Sequence, residues 1–287
     1  MADYILLEGR SHDSYSVSYS YSNILVAQHR LSISPEVARA ARSLSLKVKN
    51  TATEQFDNSS YIGQINWQEA LKLNLRLKGR TLNPRQGIDL LLDLQEGIDR
   101  RKTLYDENGK PIHQEILRNI YDEIVEVRGP WRAEWLDANF KVVSGVLHIL
   151  YDHQLQSGIL VPQRTESLKP YLDEQGVRVS LKDFNRQGLP TKANDKGEIN
   201  YWKPLLNNNS VAGLDADSGR AYLYCDWVPP VRNDWLGVRH VVPREKIEEI
   251  RNETSEEKER EFYSEEEVIA SLRALDRKLF EKHPRTP

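Results

Sequence analysis

A single cysteine, Cys225, in 287 residues excludes an internal disulfide framework and any zinc module built from clustered thiolates. No apolar run approaches the roughly 20 residues of a membrane-spanning helix. The opening Met1-Ala2-Asp3-Tyr4 lacks the basic stretch and apolar core of a secretory signal, so a soluble chain is expected that leaves its cell, if at all, by another route. An excess of positive charge is missing too: 40 basic residues face 43 acidic ones, a formal charge of -3. Bulk nucleic-acid binding needs a basic face that displaces counterions from phosphates, and this balance argues against it. Also absent are a Gly-x-Gly-x-x-Gly or Walker-type phosphate loop and a His-Glu-x-x-His metal motif. What is present is globular material, 39% hydrophobic and 29% charged, at a length that suits one elaborated domain or two small ones.

Periodicity and punctuation divide the chain. Tyr4 to Leu31 reads as strand and turn, because bulky and small residues alternate from Ser14 to Ser22 as in an extended segment with one packed face. A disordered serine-rich tract competes with this, and the flanking Ile5-Leu6-Leu7 and Ile24-Leu25-Val26 favour order. Helices follow. Ser34-Pro35-Glu36 offers a cap with proline at the first helical position, and Val37, Ala40, Ala41 and Leu44 carry the apolar face. Asn66 to Glu69 resembles a capping box ahead of Trp67, Ala70, Leu71 and Leu75, with Gly79 as the stop. Asn83-Pro84-Arg85-Gln86 restarts a helix through Ile88, Leu91 and Leu92 to about Gly97. After an Asn108-Gly109 turn, Ile112, Ile116, Leu117, Ile120 and Ile124 draw another amphipathic helix.

Beyond Gly129-Pro130 strands and long loops are expected. Val142 to Leu147 forms a hairpin turning on Ser144-Gly145, and Val177, Val179 and Leu181 alternate as a strand. Gly188 to Asn209 is polar and mostly loop. In Ala221 to Asp226, the apolar phase Ala221, Leu223 and Cys225 opposes Tyr222, Tyr224 and Asp226. An irregular crossing from Val228 to Asp234 leads to a closing strand, Leu236 to Arg239. From Arg244 the composition shifts to charge, and a capping box at Ser264 to Glu267 precedes a narrow seam of Val268, Leu272, Leu275 and Leu279, which docks on the domain or pairs with a partner helix.

Chemistry-bearing residues are sparse. His148, Asp152 and His153 are not expected to hold a metal, since strand positions five apart face opposite ways. Arg132 and Glu134, in the aromatic stretch Trp131 to Asp137, are expected to form a structural ion pair. Cys225 has the strand phase of a small core residue rather than a nucleophile.

One segment carries a resemblance. Asp217 to Cys225, running on to Leu236-Gly237-Val238-Arg239, is similar to the C-terminal strands of the C-type lectin fold in its formylglycine-generating-enzyme branch. Those domains end in an arginine-bearing strand, an Asn- and Pro-rich crossing and a Gly-Phe-Arg strand; here Arg220-Ala221 stands for the first and Gly237-Val238-Arg239 for the last. The helix from Trp67 followed by Gly79-Arg80-Thr81-Leu82-Asn83-Pro84 looks like that branch's tryptophan-led helix and Gly-Lys-Arg-Leu-Pro turn. Within the fold the chain resembles the variable proteins of diversity-generating retroelements, archaeal or viral ones in particular, over residues 60–242 in layout and 211–240 in motif detail. The resemblance implies an α+β, C-type lectin-like domain over residues 1–243, with N-terminal helices packed on antiparallel sheets, and a charged helical tail over 244–287. It implies a non-enzymatic ligand-binding protein, without cofactor, metal or catalytic residues, whose surface is rewritten at adenine-containing codons in residues 211–240.

A site that accepts many side chains cannot also hold up the fold, because large-to-small core changes cost about 2–5 kcal/mol. Tyr222, Tyr224, Asp226, Trp227, Asn233, Asp234 and Trp235 supply the mixture of tyrosine, large aromatics and short polar groups that such a surface uses. Gly213, Leu214, Asp215, Val228 and Val231 are compatible with adenine-directed change, whereas Trp227 and Trp235 depart from it, since an asparagine codon changed at its adenines does not yield tryptophan. The expected ligand is a protein, with no nucleic-acid partner and no membrane span. Two alternatives remain: an attachment or structural protein of a virion with the same fold and no diversification, and an oxidoreductase of the formylglycine-generating type. The second is opposed by the single cysteine, because those enzymes use a pair.

Overall fold

The computed structural model describes residues 3–14, 17–46, 49–53, 60–126, 133–206, 209–217 and 220–246. The chain divides into two compact units, Met1–Arg244 and Glu245–Pro287. The expected tail helix and Arg132 lie outside the described residues.

The N-terminal part opens with β1 (Tyr4–Leu7) and a hairpin of β2 (Ser11–Ser14) and β3 (Val17–Ser20), followed by β4 (Ile24–Arg30). The serine-rich tract is therefore a folded-back ribbon, and Tyr19 within it is sealed in the core at 1% exposure. Then come α1 (Pro35–Ser43), a hairpin of β5 (Lys49–Thr53) and β6 (Ser60–Gly63), α2 (Trp67–Arg76), α3 (Pro84–Ile98) and α4 (Gln114–Val125). Their caps follow the expected chemistry. Ser34 accepts from the amide of Val37, and Asn66/Glu69 and Asn83/Gln86 make reciprocal capping boxes. Gly79 acts differently from expectation. The left-handed residue after α2 is Lys78 (φ 62°), while a Cβ on Gly79 would meet Cε1 of His240 at 2.1 Å and the carbonyl of Val241 at 2.6 Å. Ile116 departs from the expected stripe of α4 and is exposed, whereas Leu117, Ile120, Glu123 and Ile124 are buried.

The C-terminal half builds the main sheet: β7 (Ala133–Val143), β8 (Val146–Gln156), β9 (Ile159–Ser167), β10 (Val177–Val179), β11 (Ile199–Trp202), β12 (Ser210–Asp217), β13 (Arg220–Trp227) and β14 (Leu236–Gly237). The order is β10-β11-β13-β12-β7-β8-β9, with β14 added to β7. Neighbours run antiparallel except β11 with β13 and β14 with β7. Ser144 (φ 51°) and Gly145 (φ 78°) make the expected tight turn of the β7–β8 hairpin, a left-handed pair whose twist matches the strands. The stretch expected as loop contains β11, a short run that gains its ladders from β10 and from β13, whose Ala221 stands level with Ile199. The expected closing strand is split: β14 joins the main sheet, and β15 (Arg239–Pro243) joins β1 and β4 in a separate three-stranded sheet.

Both faces of the main sheet carry a core. On one, α3 and α4 cover Leu136, Ala138, Phe140, Leu214, Ala221, Leu223 and Cys225. On the other, α2 with Trp67, together with Ile62, Ile65 and Leu236, covers Ala133, Trp135 and Val211. The second cover stops short of β11 and β13, whose outward residues belong to neither cluster until Trp227.

Candidate functional site

Strand β13 sorts its side chains as the sequence phase requires. Ala221 (5% exposed), Leu223 (0%) and Cys225 (0%) lie in the first core, while Tyr222 and Tyr224 are half-buried on the opposite face and Asp226, where the register shifts, is half-buried as well. There the aromatic side chains form a contiguous stack. Tyr224 lies near-parallel to Tyr222 (5.3 Å between centroids, 13°), to Trp202 from β11 (6.0 Å, 24°) and to Trp227 (4.9 Å, 17°). Trp227 then meets the edge of buried Trp135 at 5.2 Å and 84°, which anchors the stack to the second core. Trp202 was not anticipated. The available signal was its alternation, since Ile199 and Tyr201 point to the core and Asn200 and Trp202 away from it.

The register explains the spacing. Tyr222 is level with Asp215 of β12 and Asn200 of β11, and Tyr224 with Gly213 and Trp202. Between Tyr224 and Trp227 the pairing with β12 slips, as three steps on β13 oppose two on β12. That bulge brings the Trp227 ring over Gly213.

Three of the expected surface positions are corrected here. Gly213 lies beneath Trp227, and a Cβ there would stand 2.3 Å from Cζ3 of that ring. Leu214 pairs with Leu223 and is part of the first core, because β12 alternates in step with β13. Asp215 is nearly sealed, and its Oδ1 accepts from the amide of Ala216 at 2.7 Å. Trp227, Val231 and Trp235 are half-buried against the second core, Val228 is exposed, and Asp234 is exposed with its carboxylate taking the amide of Gln64. Asn233 contributes its carbonyl, accepting from Gln64 at 2.9 Å and Leu236 at 3.1 Å.

Electrostatics separate the two faces. The Cys225 thiol is pushed well up by burial and, less, by Asp226, so it stays protonated and unreactive. The Asp226 carboxyl is also raised by burial, against its own backbone N–H. Among the described residues, its Oδ1 is buried without a hydrogen-bond partner, as is Nε1 of Trp202.

Other polar clusters are structural in their geometry. Glu134 accepts from Arg239 at 2.5 and 3.0 Å. Arg239 also reaches Glu123 at 3.3 Å and the carbonyls of Ala27 and Gln28, all inside the protein. Asp89, fully buried on α3, accepts from Tyr21 and Arg85 at 2.9 Å and meets His12 at 2.8 Å. Burial opposes its charge, yet His12, Arg85 and Tyr21 hold its carboxyl below the usual range. Asp152 has φ 54°, and the neighbouring His153 meets Asp137 at 2.5 Å and the edge of the Trp67 ring.

No family model, curated protein or solved structure matches the chain.

Proposed function

We propose that the chain is a non-enzymatic binding protein of the C-type lectin-like kind, whose aromatic face on β11 and β13 receives a protein ligand. The observation that carries this reading is the split within one strand: Ala221, Leu223 and Cys225 are sealed, while Tyr222 and Tyr224 stand half-exposed in a stack with Trp202 and Trp227. Tyrosine and tryptophan offer large amphipathic area at low rotamer cost and dominate binding hot spots. The retroelement reading narrows with it. Tyr222, Tyr224, Asp226 and Val228 are positions where a new side chain leaves both cores intact, whereas Gly213, Leu214 and Asp215 are built into the sheet. An attachment protein without diversification would use the same face and differ only in its gene.

Two experiments test this. Copies of the gene are compared at the codons for residues 211–240; changes confined to adenines and clustered at Tyr222, Tyr224, Asp226 and Val228 are expected. Changes falling as often on Leu223 and Cys225 would overturn diversification. On the protein, Tyr222→Ala with Tyr224→Ala removes three stacked contacts and is expected to cost about 1.5–4.5 kcal/mol while leaving the chain folded. Leu223→Asp, which buries an unpaired charge, is expected to abolish folding. Equal loss of the urea midpoint in both variants would remove the division of roles.

A further inference from the structure

We propose that Asn108 is a site of spontaneous covalent modification, at which the main-chain nitrogen of Gly109 attacks the side-chain amide and converts the asparagine to aspartate and isoaspartate. Asn108-Gly109 is the one Asn-Gly pair in the 287 residues. The reaction needs a nitrogen that a carbonyl carbon can approach, and glycine, with no Cβ, leaves that approach open. Gly109 has φ 78°, and a Cβ built there would meet nothing within 4 Å. Both residues are exposed. Asn74, Asn83, Asn139 and Asn200 differ on every count: they are buried, their amides donate hydrogen bonds, and Leu75, Pro84, Phe140 and Tyr201 follow them.

The turn itself sets the resistance. Gly109 donates to the carbonyl of Asp106 at 3.1 Å, the amides of Asn108 and Lys110 each donate to Asp106 Oδ1 at 2.8 Å, and Asp106 donates to the carbonyl of Lys110 at 2.9 Å. While the first of these bonds is made, the Gly109 nitrogen is engaged and the five-membered ring does not close. All of them lie at an exposed loop tip, where local opening costs far less than global unfolding. On opening, the Gly109 nitrogen loses its proton to solvent base and bonds to Cγ of Asn108; the Cγ–Nδ2 bond breaks and ammonia leaves. Water then opens the cyclic imide. Attack at the former side-chain carbonyl gives aspartate, and attack at the main-chain carbonyl routes the chain through the old side chain as isoaspartate. Water is the one co-reactant.

The product carries one more negative charge, beside Asp106 and Glu107, on a chain whose formal charge is already -3. The anchorage of the turn lies outside the altered link. Tyr105 bridges Pro111, the amide of Leu6 on β1 donates to the carbonyl of Tyr105 at 2.8 Å, and that of Ile112 to Leu104 at 2.9 Å. The extra main-chain methylene of isoaspartate is therefore taken up at the tip, and β1 keeps its hold.

The test is to age the full chain in mildly alkaline buffer, resolve it by ion exchange and map the peptide carrying residues 104–112 by mass spectrometry. A synthetic peptide of those residues is aged beside it. The expected result is an acidic species one mass unit heavier, changed at Asn108 and containing both isomers. It should form faster as pH rises, and more slowly than in the peptide, where no turn holds the nitrogen. Asn108→Gln should lose that species and keep the wild-type urea midpoint, and the isolated acidic form should keep it too. An unchanged Asn108 once the peptide has converted would overturn the proposal, as would an acidic species that persists in Asn108→Gln. Equal rates in chain and peptide would overturn the role given to the Asp106 carbonyl. A lower midpoint in the acidic form would overturn the claim that the tip absorbs the change.

Discussion

Gly213→Ala is a one-carbon change whose outcome is decided by a single ring. The added Cβ would lie 2.3 Å from Cζ3 and 2.7 Å from Cε3 of Trp227, and 3.1 Å from the carbonyl of Glu134. The carbonyl belongs to the ladder with β7 and is fixed, so the indole must move. Two contacts hold that indole, the stack on Tyr224 at 4.9 Å and the edge of Trp135 at 5.2 Å, each worth about 0.5–1.5 kcal/mol beyond burial. Against this loss stands the backbone gain of about 0.5–1 kcal/mol that alanine normally has over glycine in a strand. The net expectation is destabilisation by about 1–2 kcal/mol. In a Trp227→Ala background the obstacle is gone, and the same Gly213→Ala change becomes neutral or mildly stabilising. The cycle therefore has a coupling energy of about 2 kcal/mol, measurable by urea unfolding followed in far-ultraviolet circular dichroism. Near-ultraviolet dichroism should lose aromatic signal in the single Gly213 variant. Equal effects of Gly213→Ala in both backgrounds would refute the claim that Trp227 rests on Gly213.

The scaffold yields two further expectations. His240 is fully buried, and burial lowers its pKa to about 4, so the folded protein binds fewer protons than the unfolded chain below the ordinary histidine value of about 6.5. Its contribution is complete above that value and is lost as pH falls toward 4, by about 2 kcal/mol between pH 7.5 and 5; His240→Gln should remove that share of the slope in urea midpoints, and an unchanged slope would contradict it. Arg239→Ala leaves Glu134 and Glu123 buried without their shared cation and is expected to cost about 3–5 kcal/mol, whereas replacing all three with apolar residues of similar volume should recover most of the loss; a cost under 1 kcal/mol for Arg239→Ala would show that the network is not a clamp.

What could be read from the sequence was what is local. Caps at Ser34, Asn66 and Asn83 depend on side chains reaching three residues along, and the Ser144-Gly145 turn on two backbone angles. The phase of β13 was legible because alternation alone decides it. What escaped depends on partners distant in the chain. β11 looks like polar loop until its parallel pairing with β13 is known. Gly213, Leu214 and Asp215 carry no local mark of burial, since β12 lies between two strands and is packed on both faces. Nothing local marks Arg239 as a partner of Glu134, since it lies 105 residues away. Likewise, Asp89 and Asp93 carry no local mark of burial; their partners Arg10, Arg85 and Lys102 are set by the fold.

The crossing between β13 and β14 keeps a path that depends little on most of its side chains. Its anchors are mostly main-chain atoms: the carbonyl of Pro229 receives the amide of Trp67, that of Asn233 the amides of Gln64 and Leu236, and that of Trp235 the amide of Ala133 and Nη1 of Arg30 at 2.7 Å. A carbonyl is present whatever the side chain, so these contacts survive substitution at Val228 or Asn233. Arg232 is different, because its guanidinium grips both oxygens of Glu69, the residue that also closes the capping box of α2. Trp235 is different as well, being packed against the second core. Tolerance to change along this crossing should therefore alternate by mechanism: free where the backbone does the holding, restricted where a side chain does. The retroelement reading needs such a boundary between Asn233 and its neighbours, and a folded fluid core on the far side of it would not supply one.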